Sequence, residues 1–498
     1  MAVACPDACP ETPGFFAVTK RLLHVFVRFV LIRAWVMLRV PRNFVTIAVR
    51  VFVVLILVFA PWAFGSTEPW AQTTIQSLTG LILVCVILEA SLGFERRSWD
   101  LLWSWWWGAP LLAMVIYIAL QALNPSHYYQ LAGQRLLPRT YINWLPHSAD
   151  ASITWDTLRM LMAYAVLFWG VVWCFKGVVE VKVLLMILTV SGFVLALVAI
   201  LQSVSGEQKL LWFRKSPIPE FMGSFVNRNN YASYMNLLIP VTLALGCYVG
   251  EMKRDARSKG HAGYLFYFMA AVMAASVLRS GSRAGLMICV LLLACWLWNL
   301  IFTGERMAHG GRRSLFLSVS IVILAAAGLL LFSGVEPLAA RFAAPANIEE
   351  AQMRENSNTR PITYRATFEM FQAHWLYGIG AGTFPRVFPY YQPASLAGFW
   401  PYAHCDWLQY IAELGVVGFV LLAGVMFGIL RRCAHNWLWI RERLDAHVET
   451  RVFRRHVLPA LSFSLAGVAL HACVDFPLHI PGVATLAAAY LALVYHTA

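Results

Sequence analysis

Runs of about twenty mostly apolar residues recur along this 498-residue chain, and a run of that length crosses a bilayer as one helix. The sequence holds twelve such runs, at residues 43–64, 71–93, 104–123, 157–175, 181–203, 230–250, 261–280, 284–303, 315–334, 409–430, 456–475 and 481–497. Only 13% of the residues are charged, whereas a soluble globular protein carries about 25%. We therefore expect an all-α, polytopic membrane protein with about twelve transmembrane helices.

The basic residues set the expected orientation of these helices. With twelve spans both termini lie on one side of the membrane, and a cytoplasmic N-terminus places 25 of the 39 Lys and Arg residues in the inner segments. This arrangement satisfies the positive-inside rule. The formal net charge of +14 is then explained by orientation and attraction to anionic membrane lipids, and we expect no binding of nucleic acid.

The apolar pattern divides the chain into four parts, residues 1–42, 43–334, 335–408 and 409–498. We expect the first part to be a cytoplasmic head that ends in a basic amphipathic helix on the membrane surface. The second part would hold the first nine transmembrane helices, and the fourth part the last three. The third part would be a periplasmic loop of 74 residues, and a loop of that length without a role is uncommon.

Arg283 lies between two apolar runs, in a turn of the small residues Ser280, Gly281, Ser282 and Gly285. An arginine near lipid costs about 3 kcal/mol unless it is paired or solvated. Small residues leave backbone N–H groups accessible at a helix start, which favours an anion site. A guanidinium that merely reaches the membrane interface is the alternative.

Arg228 forms a second candidate site with its neighbours Asn227 and Asn229, directly before the sixth run. Asparagine amides can bind sugar hydroxyls or phosphate oxygens. Asparagine is also an ordinary turn and cap residue, so both interpretations stay open.

The long loop supplies two further arginines, Arg360 and Arg365, at the start of a helix predicted at Ile362–Leu376. Pro361 precedes that helix and favours its first turn. Arg365 and Glu369 are one helical turn apart, which also allows an ordinary surface ion pair.

His404 lies at the mouth of the tenth run and is followed by Asp406 and Gln409. A histidine can accept a proton near neutral pH, as a hydroxyl nucleophile requires. A polar residue that only marks the membrane interface is the alternative for His404.

Other chemistries find little support in the sequence. The expected outer loops carry no paired carboxylates with ligand spacing and the chain has no Cys-x-x-Cys, so we expect neither a metal nor another cofactor. The glycine-rich stretch 377–383 lacks the strand–helix unit of a nucleotide site. Arginines and a histidine that face one compartment instead suit group transfer from a lipid diphosphate, because guanidinium groups bind adjacent anionic oxygens in pairs.

Several blocks of sequence resemble the O-antigen ligase/polymerase superfamily of bacterial envelope glycosyltransferases. They are Gly-Ser-Phe-Val-Asn-Arg-Asn-Asn-Tyr-Ala at 223–232, Ser-Gly-Ser-Arg-Ala-Gly at 280–285, Thr-Tyr-Arg-Ala-Thr-Phe-Glu-Met at 363–370, Trp-Leu-Tyr-Gly-Ile-Gly-Ala-Gly-Thr-Phe at 375–384, His-Cys-Asp-Trp-Leu-Gln-Tyr-Ile-Ala-Glu-Leu-Gly at 404–415 and Val-Asp-Phe-Pro-Leu-His-Ile-Pro at 474–481. The resemblance implies a GT-C-type, metal-independent, inverting enzyme of the bacterial inner membrane, with an undecaprenyl-diphosphate-linked glycan as donor.

The resemblance also implies roles for individual residues. Arg283 and Arg365 would be catalytic and hold the diphosphate together with Arg228, and His404 would be either the general base or the hydrogen-bond partner that orients the acceptor. The residues expected to bind substrate are Arg228, Asn227, Asn229, Arg360, Asp406 and Gln409. Many members of this branch have asparagine after the histidine, where this chain has Cys405.

The acceptor is left open by these motifs. Lipid A core would make the protein a ligase, a second lipid-linked glycan would make it a polymerase, and a protein hydroxyl would make it an O-oligosaccharyltransferase. From another class, a flippase for lipid-linked sugars would share the spans and the arginines. Transporters tend to have internal repeats and broken helices, and no internal repeat is evident in the sequence.

Overall fold

The computed structural model describes residues 44–91, 105–206, 208–255, 262–303, 359–442 and 447–496. The amphipathic helix expected in residues 1–42, the run at 315–334 and the first part of the long loop, 335–358, lie outside the described residues.

The regular secondary structure of the described residues is nearly all helical, as the apolar runs predict. The helices are α1 (Phe44–Trp62), α2 (Pro69–Ser91), α3 (Trp105–Leu123), α4 (Ala151–Cys174), α5 (Val178–Ser205), α6 (Arg228–Asp255), α7 (Ala262–Ser280), α8 (Arg283–Thr303), α9 (Arg360–Ala373), α10 (Phe384–Val387), α11 (Asp406–Glu442), α12 (Val448–His471) and α13 (Pro481–His496). Short 3-10 turns occupy Phe64–Ser66, Phe388–Tyr390 and Pro477–His479.

Eleven of the twelve expected runs coincide with helices of the structure. Eight of these helices, namely α1, α2, α4, α5, α6, α7, α8 and α11, are long and apolar enough to cross a membrane. Helices α3 and α13 are apolar but shorter. A multi-pass, nearly all-α architecture is thus confirmed, while the count of twelve spans stays a prediction.

Helix α6 lies at the centre of the bundle. Of the residues in its apolar segment 89% are buried, against 22–56% in the other seven spans. It packs against α5, α7, α8, α12 and α13. Other elements therefore pack around α6, and Arg228 and Asn229 in its first turn are partly buried.

Two small antiparallel sheets, absent from the all-α prediction, join the helices. Strands β1 (His127–Gln130) and β2 (Arg135–Pro138) pair after α3, and β3 (Lys209–Leu210) pairs with β4 (Arg214–Lys215) after α5. Each has only a few residues, so period-two alternation is too short to be recognised beside the long apolar runs.

Helix α11 is interrupted at Gly415, whose φ of 65° and ψ of −177° are not helical. The chain between α9 and α10 fills the interruption, because the N–H groups of Ile379 and Gly380 donate to the carbonyls of Ala412 and Glu413. The Tyr117 hydroxyl of α3 donates to the carbonyl of Leu414 at 2.6 Å. The backbone groups freed by the break are thus satisfied within the protein, as a membrane helix requires.

Candidate functional site

A buried carboxylate, Asp475, is the centre of the candidate site. It follows α12, and its side chain is 0% exposed. Its oxygens accept a hydrogen bond from Nδ2 of Asn229 at 2.5 Å and lie 3.3 Å from a guanidinium nitrogen of Arg360. Nδ1 of His404 lies 3.3 Å from Oδ1 of Asp475. Four segments that are distant in the sequence therefore meet at one acidic group.

His404 is held in an unusual backbone conformation beside this carboxylate. Its φ is +58°, a region that non-glycine residues adopt rarely and often at functional sites. The Tyr364 hydroxyl donates to the carbonyl of His404 at 2.7 Å, and the rings of Trp400 and Phe476 pack edge-on against the imidazole. The side chain keeps 22% of its surface exposed. The imidazole thus lies with Nδ1 beside the Asp475 carboxylate, close to it but without a well-aligned hydrogen bond, and remains accessible to a ligand.

Burial raises the pKa of Asp475, but the adjacent His404, Arg360 and His471 lower it by a larger amount. The pKa of Asp475 therefore lies below its ordinary value. The carboxylate is therefore ionised at neutral pH. An ionised acid next to Nδ1 favours the tautomer with its proton on Nδ1, which leaves Nε2 as the acceptor.

The two arginines of α9 differ in their surroundings. Arg360 is half-buried and pairs with Asp475, on the same face as Tyr364 one turn later. Arg365 is 85% exposed and pairs with Glu369 at 3.2 Å. Five residues of a helix turn the side chain by about 140°, so only Arg360 reaches the cluster. The ordinary ion pair of Arg365 with Glu369, which the sequence allows as an alternative, is present, and α9 begins two residues before the predicted Ile362.

Asp406 and Gln409, both expected to bind substrate, have partners within the protein. Asp406 is fully buried and its carboxylate binds the imidazole of His479 and the N–H of Leu478. Gln409 accepts a hydrogen bond from the N–H of Ala403 at 3.0 Å. These contacts hold the mouth of α11 against the loop that carries His404.

The glycine-rich stretch 377–383 wraps around a side chain of the protein. Glu413 is 2% exposed and accepts hydrogen bonds from the N–H groups of Gly382 at 2.7 Å and Phe384 at 3.4 Å. Nε2 of Gln409 donates to the same carboxylate at 2.9 Å. An internal carboxylate therefore occupies the N–H groups that a phosphate would need.

The first turn of α6 combines a cap with a polar cavity. Asn227 acts as a cap, because its Oδ1 accepts the N–H of Asn229 at 2.8 Å. Arg228 lines a cavity of about 370 Å³ whose wall also contains Gln202, Glu220 and Arg279. Since Asn229 binds Asp475, the cavity and the Asp475 cluster lie on adjacent residues of one helix.

Arg283 is the first residue of α8 and is exposed. The turn before it is a capped connection, in which Gly281 has a φ of +65° and Ser282 accepts the N–H of Gly285 at 3.2 Å. Asn236 donates to the carbonyl of Gly285 at 2.8 Å. The small residues therefore serve the turn and the close packing of α8 on α6, and the contacts of Asp475 described above do not include Arg283.

Cys405 is half-buried at the start of α11, and burial raises the pKa of its thiol. It therefore remains a neutral thiol at neutral pH, in the position where the resemblance leads us to expect asparagine.

Sequence reasoning missed Asp475 and the role of His479. Both stand in the block 474–481 that carried part of the resemblance. Asp475 is the last residue of the apolar run 456–475, and by the count of spans that end of the run lies on the same side of the membrane as His404. A carboxylate at the end of an apolar run was therefore the available signal. Within the part of the chain that the structure describes, no three His, Cys, Asp or Glu residues are grouped as metal ligands.

Residues 268–423 match a family model described as O-antigen ligase. The match covers about a third of the chain and runs from α7 into α11, so it includes Arg283, Arg360, Arg365 and His404. No curated protein matches the chain.

The fold defines a multi-pass membrane protein, and its polar cluster lies at the mouths of α6 and α11. Over residues 268–423 the chain carries an O-antigen ligase domain, which confirms the resemblance to that superfamily. A domain of this family indicates a membrane protein of the ligase or polymerase type. Such a protein transfers a glycosyl group from a lipid-linked glycan to an acceptor.

Proposed function

We propose that this protein is an inner-membrane glycosyltransferase of the O-antigen ligase type. It transfers a glycan from an undecaprenyl-diphosphate donor to an acceptor hydroxyl at the periplasmic face. The observation that carries the proposal is the contact between His404 and the buried, ionised Asp475, in a site whose histidine lies within the O-antigen ligase domain.

His404 is the general base in this proposal. With Nδ1 directed at Asp475, Nε2 accepts the proton of the acceptor hydroxyl as its oxygen attacks the anomeric carbon of the donor sugar. The bond between that carbon and the diphosphate breaks, the diphosphate leaves with the electron pair, and the new glycosidic bond has inverted configuration. Asp475 is a positioning residue that also stabilises the imidazolium formed. The 3.3 Å contact would shorten in the loaded enzyme, as catalytic contacts often do.

Arg283 and Arg365 serve the leaving group. Both are exposed, and an exposed ion pair such as that of Arg365 with Glu369 is worth about 0–1 kcal/mol. A diphosphate can therefore replace Glu369 at little cost and accept paired hydrogen bonds from the guanidinium. Charge that develops on the leaving oxygens is neutralised in this way, which lowers the barrier.

The other residues that the sequence predicts for the site support His404, Arg283 and Arg365. Arg360 and Asn229 hold Asp475, Asp406 and Gln409 fix the mouth of α11, and Arg228 contributes to the adjacent cavity, with Asn227 capping its helix. No step of this mechanism requires a metal, and we expect activity to survive excess EDTA.

Transport of the lipid-linked glycan is the competing function. The break in α11 at Gly415 is a feature found in transporters. Its freed carbonyls, however, bind the backbone and side chains of neighbouring segments, so the break accommodates a packed loop.

The test supplies the purified protein with an undecaprenyl-diphosphate glycan and, in separate reactions, lipid A core, a second lipid-linked glycan or a serine-containing peptide. We expect one acceptor to gain the mass of the glycan while undecaprenyl diphosphate is released, with and without EDTA. No transfer to any acceptor, combined with movement of the donor between leaflets of proteoliposomes, would establish transport instead. A requirement for a divalent cation would contradict the metal-independent mechanism.

A further inference from the structure

The cavity beside the Asp475 cluster has a defined set of polar groups. It lies between the end of α5, the start of α6 and the end of α7. Its volume of about 370 Å³ is at the lower end of the 300–1,000 Å³ that is usual for small-molecule sites. It is therefore sized for one compact group.

Two buried atoms of the cavity wall lack hydrogen-bond partners. Gln202 is 2% exposed, and its Nε2 donates to the carbonyl of Lys209 at 2.5 Å, which fixes the orientation of the amide. Its Oε1 is buried and without a partner, as is Nε of Arg279. A buried polar atom without a hydrogen-bond partner destabilises the folded protein. The cavity therefore presents one acceptor and one charged donor that a bound group would satisfy.

The charges of the wall restrict the ligand further. Arg228 and Arg279 contribute two positive charges and Glu220 one negative charge, a formal sum of +1. A diphosphate carries more negative charge than this and has no donor for Oε1 of Gln202. A sugar with one carboxylate has a matching single negative charge, and its hydroxyls can donate to Gln202 and Glu220.

We propose that this cavity binds an acidic sugar unit of the glycan substrate, with the sugar carboxylate on Arg279 and a sugar hydroxyl on Gln202. The inference rests on the proposed glycosyl transfer and names the substrate class of the same site. Because Arg228 lines the cavity and Asn229 binds Asp475, a bound sugar lies next to the cluster that holds His404.

The test measures binding without transfer. Full-length protein in detergent is titrated by calorimetry with methyl β-D-glucuronide, methyl β-D-glucoside and inorganic pyrophosphate. We expect the glucuronide to bind about tenfold more tightly than the glucoside, since a hydrogen bond between charged groups is stronger than one between neutral groups. Arg279→Gln should remove that preference, and Gln202→Leu should weaken both sugars about fivefold. Arg159→Gln, at an exposed arginine of α4, is the matched control and should keep the preference.

Equal binding of the two sugars, or an unchanged preference in Arg279→Gln, would overturn the proposal. Tighter binding of pyrophosphate than of the glucuronide would also overturn it and would mark the cavity as a diphosphate site. If Arg279→Gln does not fold, Arg279→Lys gives the comparison, because lysine keeps the charge but lacks the Nε donor and should reduce the preference for the glucuronide. This test measures binding only, so its result is independent of the transfer assay under Proposed function. Loss of the glucuronide preference would overturn the sugar site alone, and absence of glycosyl transfer would overturn the proposed function alone.

Discussion

At the scale of single residues, Arg360 and Arg365 lie five positions apart on α9 and have different partners. Arg360 binds the buried Asp475, whereas Arg365 is exposed beside Glu369. Lysine keeps the positive charge at either position but loses the planar pair of donors.

We therefore expect Arg360→Lys to lower kcat about tenfold with little change in the KM for the donor, because it acts through Asp475 and His404. Arg365→Lys should lower kcat about fivefold or more and also raise the KM for the donor, because Arg365 binds the diphosphate and neutralises it as it leaves. Steady-state kinetics with varied donor concentration measures both. A raised KM in Arg360→Lys with an unchanged KM in Arg365→Lys would reverse the roles given to the two arginines.

The residues that sequence analysis identified and missed differ in how local their signals are. His404 and the arginines stand out as polar residues next to apolar runs, so their sequence neighbours suffice. Asp475 owes its role to contacts with residues 229, 360 and 404, which only the packing of four elements brings together. Asp406 was identified as a site residue, but its buried contact with His479 could not be read from the chain.

At the scale of helices and turns, Gly415 determines how α11 carries the site. Its φ and ψ belong to a region open essentially to glycine, and an added Cβ would lie 2.4 Å from the carbonyl oxygen of Leu376. The turn between α9 and α10 docks at this point.

Gly415→Ala should destabilise the protein by at least about 3 kcal/mol, because backbone strain and a steric clash add together. The control is Gly80→Ala in α2, where an added Cβ meets nothing within 4 Å and the helix gains up to about 1 kcal/mol. Thermal unfolding in detergent compares the two. Equal melting temperatures for both variants would show that the break in α11 is not fixed by the glycine.

The contact of His479 with Asp406 joins the turn after α12 to the mouth of α11. Burial lowers the pKa of His479, but the Asp406 carboxylate raises it more, so the folded pKa lies above 6.5. The stabilisation is therefore fully present below about pH 6.5 and is lost as the pH rises through the folded pKa.

We expect the melting-temperature difference between wild type and His479→Gln to be largest at pH 6 and to shrink toward pH 9. Melting curves over that range, with the exposed His447 changed to Gln as control, provide the measurement. A difference that grows with pH would contradict the charged contact.

The boundaries of the elements show where the apolar pattern stops being sufficient. Helix α12 was expected from residue 456 and begins at Val448, because Glu449 in its first turn binds Lys182 and Tyr248 of other helices. A charged turn cannot be recognised as part of a membrane-associated helix without those partners. Helices α5 and α7 have apolar residues almost to their ends, and their boundaries follow the sequence within a few residues.

At the scale of the whole molecule, the proposal requires the mouths of α6 and α11 to face the periplasm. Single cysteines at positions 350 and 445, in a background without the ten native cysteines, test this with an impermeant thiol reagent on intact spheroplasts. We expect labelling at 350 and none at 445, as the distribution of basic residues predicts. Labelling at 445 alone would show that the topology is inverted. The mouths of α6 and α11 would then face the cytoplasm, away from a donor in the periplasm.

The most direct test of the account is the separate measurement of donor affinity and turnover in His404→Gln. Glutamine keeps a polar side chain at the mouth of α11 but cannot take the proton of the acceptor. We expect donor affinity to stay within about twofold while turnover falls on the order of a hundredfold or more, the usual contribution of a general base. Near-normal turnover in His404→Gln would contradict the account, because the contact with Asp475 would then be structural and the arginines alone would form the catalytic apparatus.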